Sequence, residues 1–217
     1  MNFEDARRIM VESQLRPNRV TNEAVLAAMR TLPREQFVPE AQRPVAYVDK
    51  DLVIAPGRCI MEPLILARLV QAAAPKPLDL CLVVGAGTGY SAAVFARLCD
   101  TVFALESDGA LAISTSALLS DLVLDNIVIV EGALAEGLPK EGPYDVIMVN
   151  GGADVLPDAL TDQLAEGGRL VAVLLDEVGV GRAVLISRGA TGISQRVLFD
   201  ASVPVLPEFE KKAGFVF

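Results

Sequence analysis

Apolar and polar positions divide the 217-residue chain into two kinds of pattern. Over residues 3–15, Phe3, Ile9, Met10 and Leu15 recur among charges, which predicts a weakly amphipathic helix ended by Pro17. Thr21 is the predicted N-cap of a second helix over 22–31, with Val25, Leu26 and Met29 on one face and Pro33 as its stop. Residues 34–61 mix polarities around Pro39, Pro44 and Pro56 and read as irregular structure. Pro63 then opens a helix carrying Leu64, Ile65, Leu66, Leu69 and Val70; a proline in the first turn gives up only an N–H that has no helical partner. Beyond Pro75 and Pro77 the pattern alternates. Apolar strands at 78–84, 101–105, 127–130, 145–149 and 170–175 are separated by helices at 90–98, 108–122 and 157–164. Strands that are apolar on both faces belong to a parallel sheet covered on both sides. Segments 183–187 and 196–201, joined through Gly189 and Gly192, read as an antiparallel hairpin. The expected fold is α/β: a doubly wound, mostly parallel sheet with an antiparallel C-terminal hairpin and a helical N-terminal extension, the boundary falling between residues 1–76 and 77–217. The apolar terminus Phe215-Val216-Phe217 is expected to dock on the sheet, because a chain end stays ordered only when tied down.

Composition narrows the chemistry. With 52% apolar and 22% charged residues the chain can bury a core, and the apolar share argues against disorder. A net charge of -9 weighs against a nucleic-acid partner held by a basic face. The charge is uneven: residues 1–76 hold 11 basic and 9 acidic side chains, residues 77–217 hold 8 and 19. The two parts are expected to do different jobs. The chain has no His, which removes Ser-His-Asp and Cys-His nucleophiles and His-ligated metals. Cys59, Cys81 and Cys99 match no CxxC spacing, so no metal site is expected, and an odd count suits a reducing cytoplasm. The charged N-terminus lacks a signal-peptide core. The uncharged run 80–96 is broken by Gly85, Gly87 and Gly89, which makes it strand–turn–helix rather than a membrane span.

That run carries the main functional signal. Gly85-Ala86-Gly87-Thr88-Gly89-Tyr90 follows a predicted strand and opens a helix, and glycines without Cβ atoms let a ligand lie across the strand end. A dinucleotide fingerprint would place a third glycine where Tyr90 stands, and the loop holds no Lys or Arg to meet phosphate. The loop therefore suits a nucleoside without a pyrophosphate. Glu106 ends the next strand, about 20 residues on, where a carboxylate accepts from ribose hydroxyls. The combination reads as an S-adenosylmethionine site.

Several further motifs resemble the protein-L-isoaspartate O-methyltransferases over almost the whole chain. They are Met10-Val11-Glu12-Ser13-Gln14-Leu15, Val25-Leu26-Ala27-Ala28-Met29, Pro33-Arg34-Glu35-Gln36-Phe37-Val38-Pro39 and Ala46-Tyr47-Val48-Asp49. The cofactor loop from Val84 to Ala93, the segment Pro143-Tyr144-Asp145-Val146-Ile147 and the segment 163–170 complete the set. The resemblance implies a Rossmann-like class I S-adenosylmethionine-dependent methyltransferase domain over 77–217, with 1–76 contributing to the substrate site. It implies methyl esterification of isoaspartyl carboxylates in damaged proteins, by a monomer or homodimer. Cofactor contacts are expected from Gly85, Ala86, Gly87, Thr88, Glu106, Ser107, Gly132, Ala133 and Leu134, and substrate contacts from Arg58, Cys59 and Ile60.

Two departures stand out. Where the family has "GxTISxP", this chain has Gly57-Arg58-Cys59-Ile60-Met61-Glu62-Pro63, so Met61 takes the place of a Ser between cofactor and substrate. A thioether has no proton to give. Where the family has "GDG", this chain has Gly132-Ala133-Leu134, which leaves an adenine contact to backbone and apolar packing. These changes keep open a same-fold methyltransferase with another acceptor, or a cofactor-binding homologue without turnover. The missing His is no obstacle to carboxylate methylation. A carboxylate is already ionised at neutral pH and needs no general base. Arg58 reads either as a partner for a substrate carboxylate or as a solvated loop residue, and Asn150-Gly151-Gly152 either as ligand-facing or as a plain turn. Glu106→Gln is expected to weaken cofactor binding by about 1–3 kcal/mol with little effect on folding, as befits a residue that closes a strand.

Overall fold

The structure, a computed structural model, describes residues 2–176 and 178–211. The docking expected for Phe215-Val216-Phe217 lies outside those residues. Helix α1 (Phe3–Ile9) runs into a wider π turn over Met10–Leu15, followed by α2 (Glu23–Thr31). Asn22, not Thr21, caps α2: its side-chain oxygen accepts from the amides of Ala24 and Val25 at 3.0 and 3.2 Å. The Thr21 amide instead donates to the Gln71 side chain.

Residues 34–61 are more ordered than their composition predicts. They hold two short 3-10 turns and a two-stranded antiparallel pair, β1 (Leu52–Ala55) and β2 (Arg58–Ile60). Helix α3 (Pro63–Ala73) follows, opened by Pro63 as expected.

The main sheet has β3 (Leu80–Val84), β4 (Thr101–Glu106), β5 (Ile127–Glu131), β6 (Tyr144–Ala153), β7 (Leu164–Leu175), β8 (Gly181–Gly189) and β9 (Gly192–Asp200). Their order is β5-β4-β3-β6-β7-β8-β9, parallel through β7 and antiparallel beyond it. Helices α4 (Tyr90–Ala96), α5 (Gly109–Asp121) and α6 (Asp158–Asp162) lie in the crossovers. The fold class read from the strand–helix alternation is the one observed. Except for β3, which begins at Leu80 rather than at residue 78, the strands outrun the apolar runs that predicted them. β7 begins at Leu164, inside the predicted helix, and β6 runs through Asn150, Gly151 and Gly152, which are therefore strand and not turn.

Alternation along β3 sends Cys81 and Val83 to one apolar layer and Leu82 and Val84 to the other. The first layer also takes Met10, Leu15, Val25 and Met29, so the N-terminal segment shares a core with the sheet. Arg34 locks that segment in place. Fully buried, it donates from Nε to the Ala46 carbonyl at 2.7 Å and from Nη2 to the Met61 carbonyl at 2.8 Å. Its guanidinium carbon lies 4.8 Å from the centre of the Tyr90 ring. Arg34→Met should keep much of the volume while leaving both carbonyls unpaired. At about 1–3 kcal/mol for each buried acceptor without a donor, the expected loss of at least about 2 kcal/mol would show as a lower urea midpoint.

Candidate functional site

The chain leaves β3 toward β4 on one side and returns to β6 on the other, so a crevice opens at the carboxyl ends of these strands. The glycine loop sits there. Gly85 and Gly87 have φ of 76° and 57°, conformations in which a side chain is strained, and this is what turns the chain sharply from β3 into α4. The amides of Gly85 and Ala86 both donate to the Leu105 carbonyl, at 2.9 and 3.0 Å. Thr88 donates to the Phe37 carbonyl at 2.6 Å, and Thr115 to the Gly87 carbonyl at 2.8 Å. Asn150, buried, donates to the Gly85 carbonyl at 2.9 Å and accepts from Ser91 at 2.6 Å. It acts as a brace beneath the loop.

Glu106 stands at the centre of the crevice with 0% of its surface exposed. Its carboxylate accepts from the amides of Gly87 (2.8 Å), Ser107 (2.8 Å) and Asp108 (3.1 Å). It also receives the Arg58 guanidinium, with Nε at 3.0 and 3.1 Å and Nη2 at 2.9 Å. Arg58 is only 6% exposed, so it is neither the solvated loop residue nor the outward-facing partner of a substrate carboxylate between which its sequence left the choice open. Two of the chain's own carboxylates hold it, because a buried guanidinium keeps its charge only when paired. The second is Glu208, 2.6 Å from Nη2, which also accepts from the Ser107 hydroxyl at 2.5 Å. Burial works against the Arg58 charge, but the hydrogen bonds from Glu208 and Glu106 outweigh it and raise its pKa above the ordinary value. Burial likewise opposes the Glu208 charge, and Arg58 and Ser107 overcome it to lower that carboxyl's pKa.

Leu134, Gly132 and Ala133 follow β5. Leu134 is buried in the same apolar layer as Leu105, Leu206 and Phe209. Cys59, Ile60 and Met61 are all buried around β2. Burial, then the nearby Asp51, pushes the Cys59 thiol up to about 12, which makes it an inert filler. Cys81 is core, as its apolar strand implied, with its sulfur beside that of Cys99. Glu62 is only partly buried, yet burial and the carboxylates of Asp49 and Asp51 push it up to about 7.

The family-level comparison agrees with this geometry. Residues 6–192 match the protein-family model described as Protein-L-isoaspartate(D-aspartate) O-methyltransferase. The chain belongs to that family. A protein-L-isoaspartate O-methyltransferase of Opitutus terrae is 44% identical over 162 residues, covering 75% of this chain and 70% of that protein. One from Koribacter versatilis is 40% identical over 195 residues, covering 88% and 85%. Among solved structures, a Plasmodium falciparum protein described as a putative protein-L-isoaspartate O-methyltransferase in complex with S-adenosyl-L-homocysteine superposes with a TM-score of 0.80. It shares 23% identity and covers 93% of this chain and 98% of that one. The fold is the Rossmann-like class I methyltransferase fold, and S-adenosylmethionine is the cofactor that family and fold imply.

As arranged here, the cradle does not fit that cofactor. A Cβ built on Gly85 would lie 3.1 Å from a methyl of Leu206, and one on Gly151 would lie 2.6 Å from Leu206 Cγ. The space that the glycines leave open is filled by the chain's own Leu206. The Glu106 oxygens are already taken by Arg58 and three amides. The sequence pattern assigns no role to residues 202–214, so it misses Leu206 and Glu208. The available signal was the apolar series Val203, Val205, Leu206 and Phe209, stiffened by Pro204 and Pro207.

Two outcomes are expected. Glu106→Gln should destabilise the fold, contrary to its reading as a mere strand end, by about 3–5 kcal/mol, the range for breaking a buried ion pair. Glu208 still partners Arg58, which places the loss toward the low end; urea unfolding measures it. Glu62 binds its proton more tightly when folded than at the ordinary value of 4.5. Its contribution to stability is therefore present below the unfolded pKa and lost as pH rises toward about 7. Glu62→Gln should raise the melting temperature by a margin that grows between pH 4.5 and 7 and then levels off. A margin independent of pH would contradict this.

Proposed function

We propose that this chain methylates a carboxylate in isoaspartyl-containing proteins or peptides, with S-adenosylmethionine as donor. The observation that carries the reading is the convergence of the glycine turn and Glu106 at the ends of neighbouring strands, Gly87 amide to Glu106 oxygen at 2.8 Å, in a member of this family. On this reading residues 77–217 hold the cofactor, through Gly85, Ala86, Gly87, Thr88, Glu106, Ser107, Gly132, Ala133 and Leu134. Residues 1–76 form the acceptor side around Cys59, Ile60 and Met61. The acceptor carboxylate is ionised at neutral pH, and the protein's part is to orient it and exclude water rather than to remove a proton. No helix among the described residues is long and apolar enough to cross a membrane. We place the chain in the cytoplasm, as a monomer or homodimer acting on polypeptides and not on nucleic acid. Its three free thiols and net charge of -9 support that placement.

A specific observation favours a second reading, the same fold with a different acceptor. Met61 is buried and presents a thioether where the family motif has a hydroxyl. Transfer of labelled methyl to an isoaspartyl peptide, set against its aspartyl twin, separates the two. Incorporation confined to the isoaspartyl peptide supports the first. No incorporation by folded protein rejects it. On the second reading, Cys59→Thr with Met61→Ser should raise isoaspartyl methylation about tenfold or more, one hydrogen bond of about 1.4 kcal/mol being a factor of ten. A thermal melt is the control, since shrinking a buried Met costs about 2–5 kcal/mol.

A further inference from the structure

The segment that follows β9 returns to the main sheet. It lies along the end of β6, where Val205 pairs in parallel with Gly152. The Gly152 amide donates to the Pro204 carbonyl at 2.8 Å, and the Leu206 amide to the Gly152 carbonyl at 2.9 Å. The Phe209 carbonyl accepts from the amides of Asp154 and Val155 at 3.1 and 3.2 Å. Leu206 and Phe209 are buried in one apolar layer with Leu105 and Leu134. Pro207 closes over Gly57, where an added Cβ would lie 2.5 Å from the proline ring. Glu208 completes the arrangement by holding Arg58 against Glu106.

We propose that residues 204–209 are an intramolecular plug of the nucleoside cradle, so that cofactor enters only when the plug and Arg58 withdraw together. This inference rests on the cofactor reading of the glycine cradle. Two independent features of the cradle are blocked at once. Leu206 occupies the volume over Gly85 and Gly151, and Arg58, steadied by Glu208, occupies the acceptor oxygens of Glu106. The coupling is physical. Once Glu208 leaves, Arg58 loses one of its two counter-ions and is freer to swing out into water, which uncovers Glu106.

The plug is suited to reversible docking. Pro204 and Pro207 restrict its free conformations, which reduces the entropy lost when it seats. It follows β9, and the four backbone hydrogen bonds that hold it go to residues 152–155, beyond the stretch in which β6 pairs with β3, so its release need not open the sheet's centre. The cradle is then built but self-occupied, and the apparent cofactor affinity is reduced by the fraction of molecules with the plug out.

The test uses the full chain and S-adenosylhomocysteine. Binding is measured by calorimetry for wild type, Glu208→Gln and Leu206→Ala. Glu208→Gln guards against misfolding, because Glu208 is partly exposed and its loss leaves the apolar layer intact. Both variants are expected to bind about tenfold or more tightly than wild type. A second readout is hydrogen exchange. Saturating S-adenosylhomocysteine should deprotect the amides of Gly152 and Leu206, whereas a ligand that leaves the plug seated would keep them protected. If wild type binds as tightly as the variants and the Leu206 amide stays protected at saturation, the plug is wrong while the cofactor reading stands. If folded variants do not bind at all, the cradle is not a cofactor site and both readings fall.

Discussion

The arrangement of the crevice depends on one buried guanidinium. Arg58 comes from the short β1–β2 pair, Glu106 from the end of β4, and Glu208 from the segment beyond β9. A single cation thus ties together three parts of the chain that are far apart in sequence. A wholly buried carboxylate would not tolerate its position alone, since an unpaired buried charge costs several kcal/mol. Glu106 shows this most clearly, being wholly enclosed and satisfied by Arg58 and three amides. Neutralising this charge, together with the burial of Leu206 and Phe209, holds the C-terminal segment against the β1–β2 pair.

A second buried guanidinium does comparable work on the other side. Arg34 has no carboxylate partner among its hydrogen bonds. It is held by two carbonyls and the face of Tyr90, which favour its charge without outweighing the cost of burial, so its pKa is lowered. Its contacts run from the 3-10 turn at Arg34 to the Ala46 and Met61 backbones and to the first residue of α4. The loops around Ala46 and Met61 are thereby tied to the helix that opens at the glycine turn. The two arginines add directed contacts that cross between elements. Apolar layers on either face of the sheet supply the bulk of the stabilisation but have no such directional preference.

Membership of a methyltransferase family and a self-filled cradle are compatible. Three parts of the proposed nucleoside cradle are present: an open-backboned turn, a braced loop and a carboxylate at the adjacent strand end. The docked segment satisfies those parts with groups from the same chain. Leu206 supplies the apolar surface, and Arg58 supplies the donors. Intramolecular docking competes at a high effective concentration, so weak contacts are enough to occupy the site.

The sequence by itself determined the layered architecture. Near-continuous apolar runs, helices punctuated by proline and the glycine turn are local signals, and each reports on the backbone near it. It also marked Glu106, because strand-end position and spacing from the loop are read along the chain. Family membership was legible too, since ordered motifs survive where individual site residues such as Met61 and Ala133 have changed. Tertiary structure alone decided who meets whom. Nothing local to Arg58 indicates that Glu106 and Glu208 will flank it. Nothing local to Asn150-Gly151-Gly152 indicates that β6 will continue through it against the segment at Val205. Arg58 could be read as solvated because an exposed arginine is the default on composition. It is buried because folding brings two carboxylates to the same place, and the energy of a charge depends on its distance to its partners in space, not along the chain.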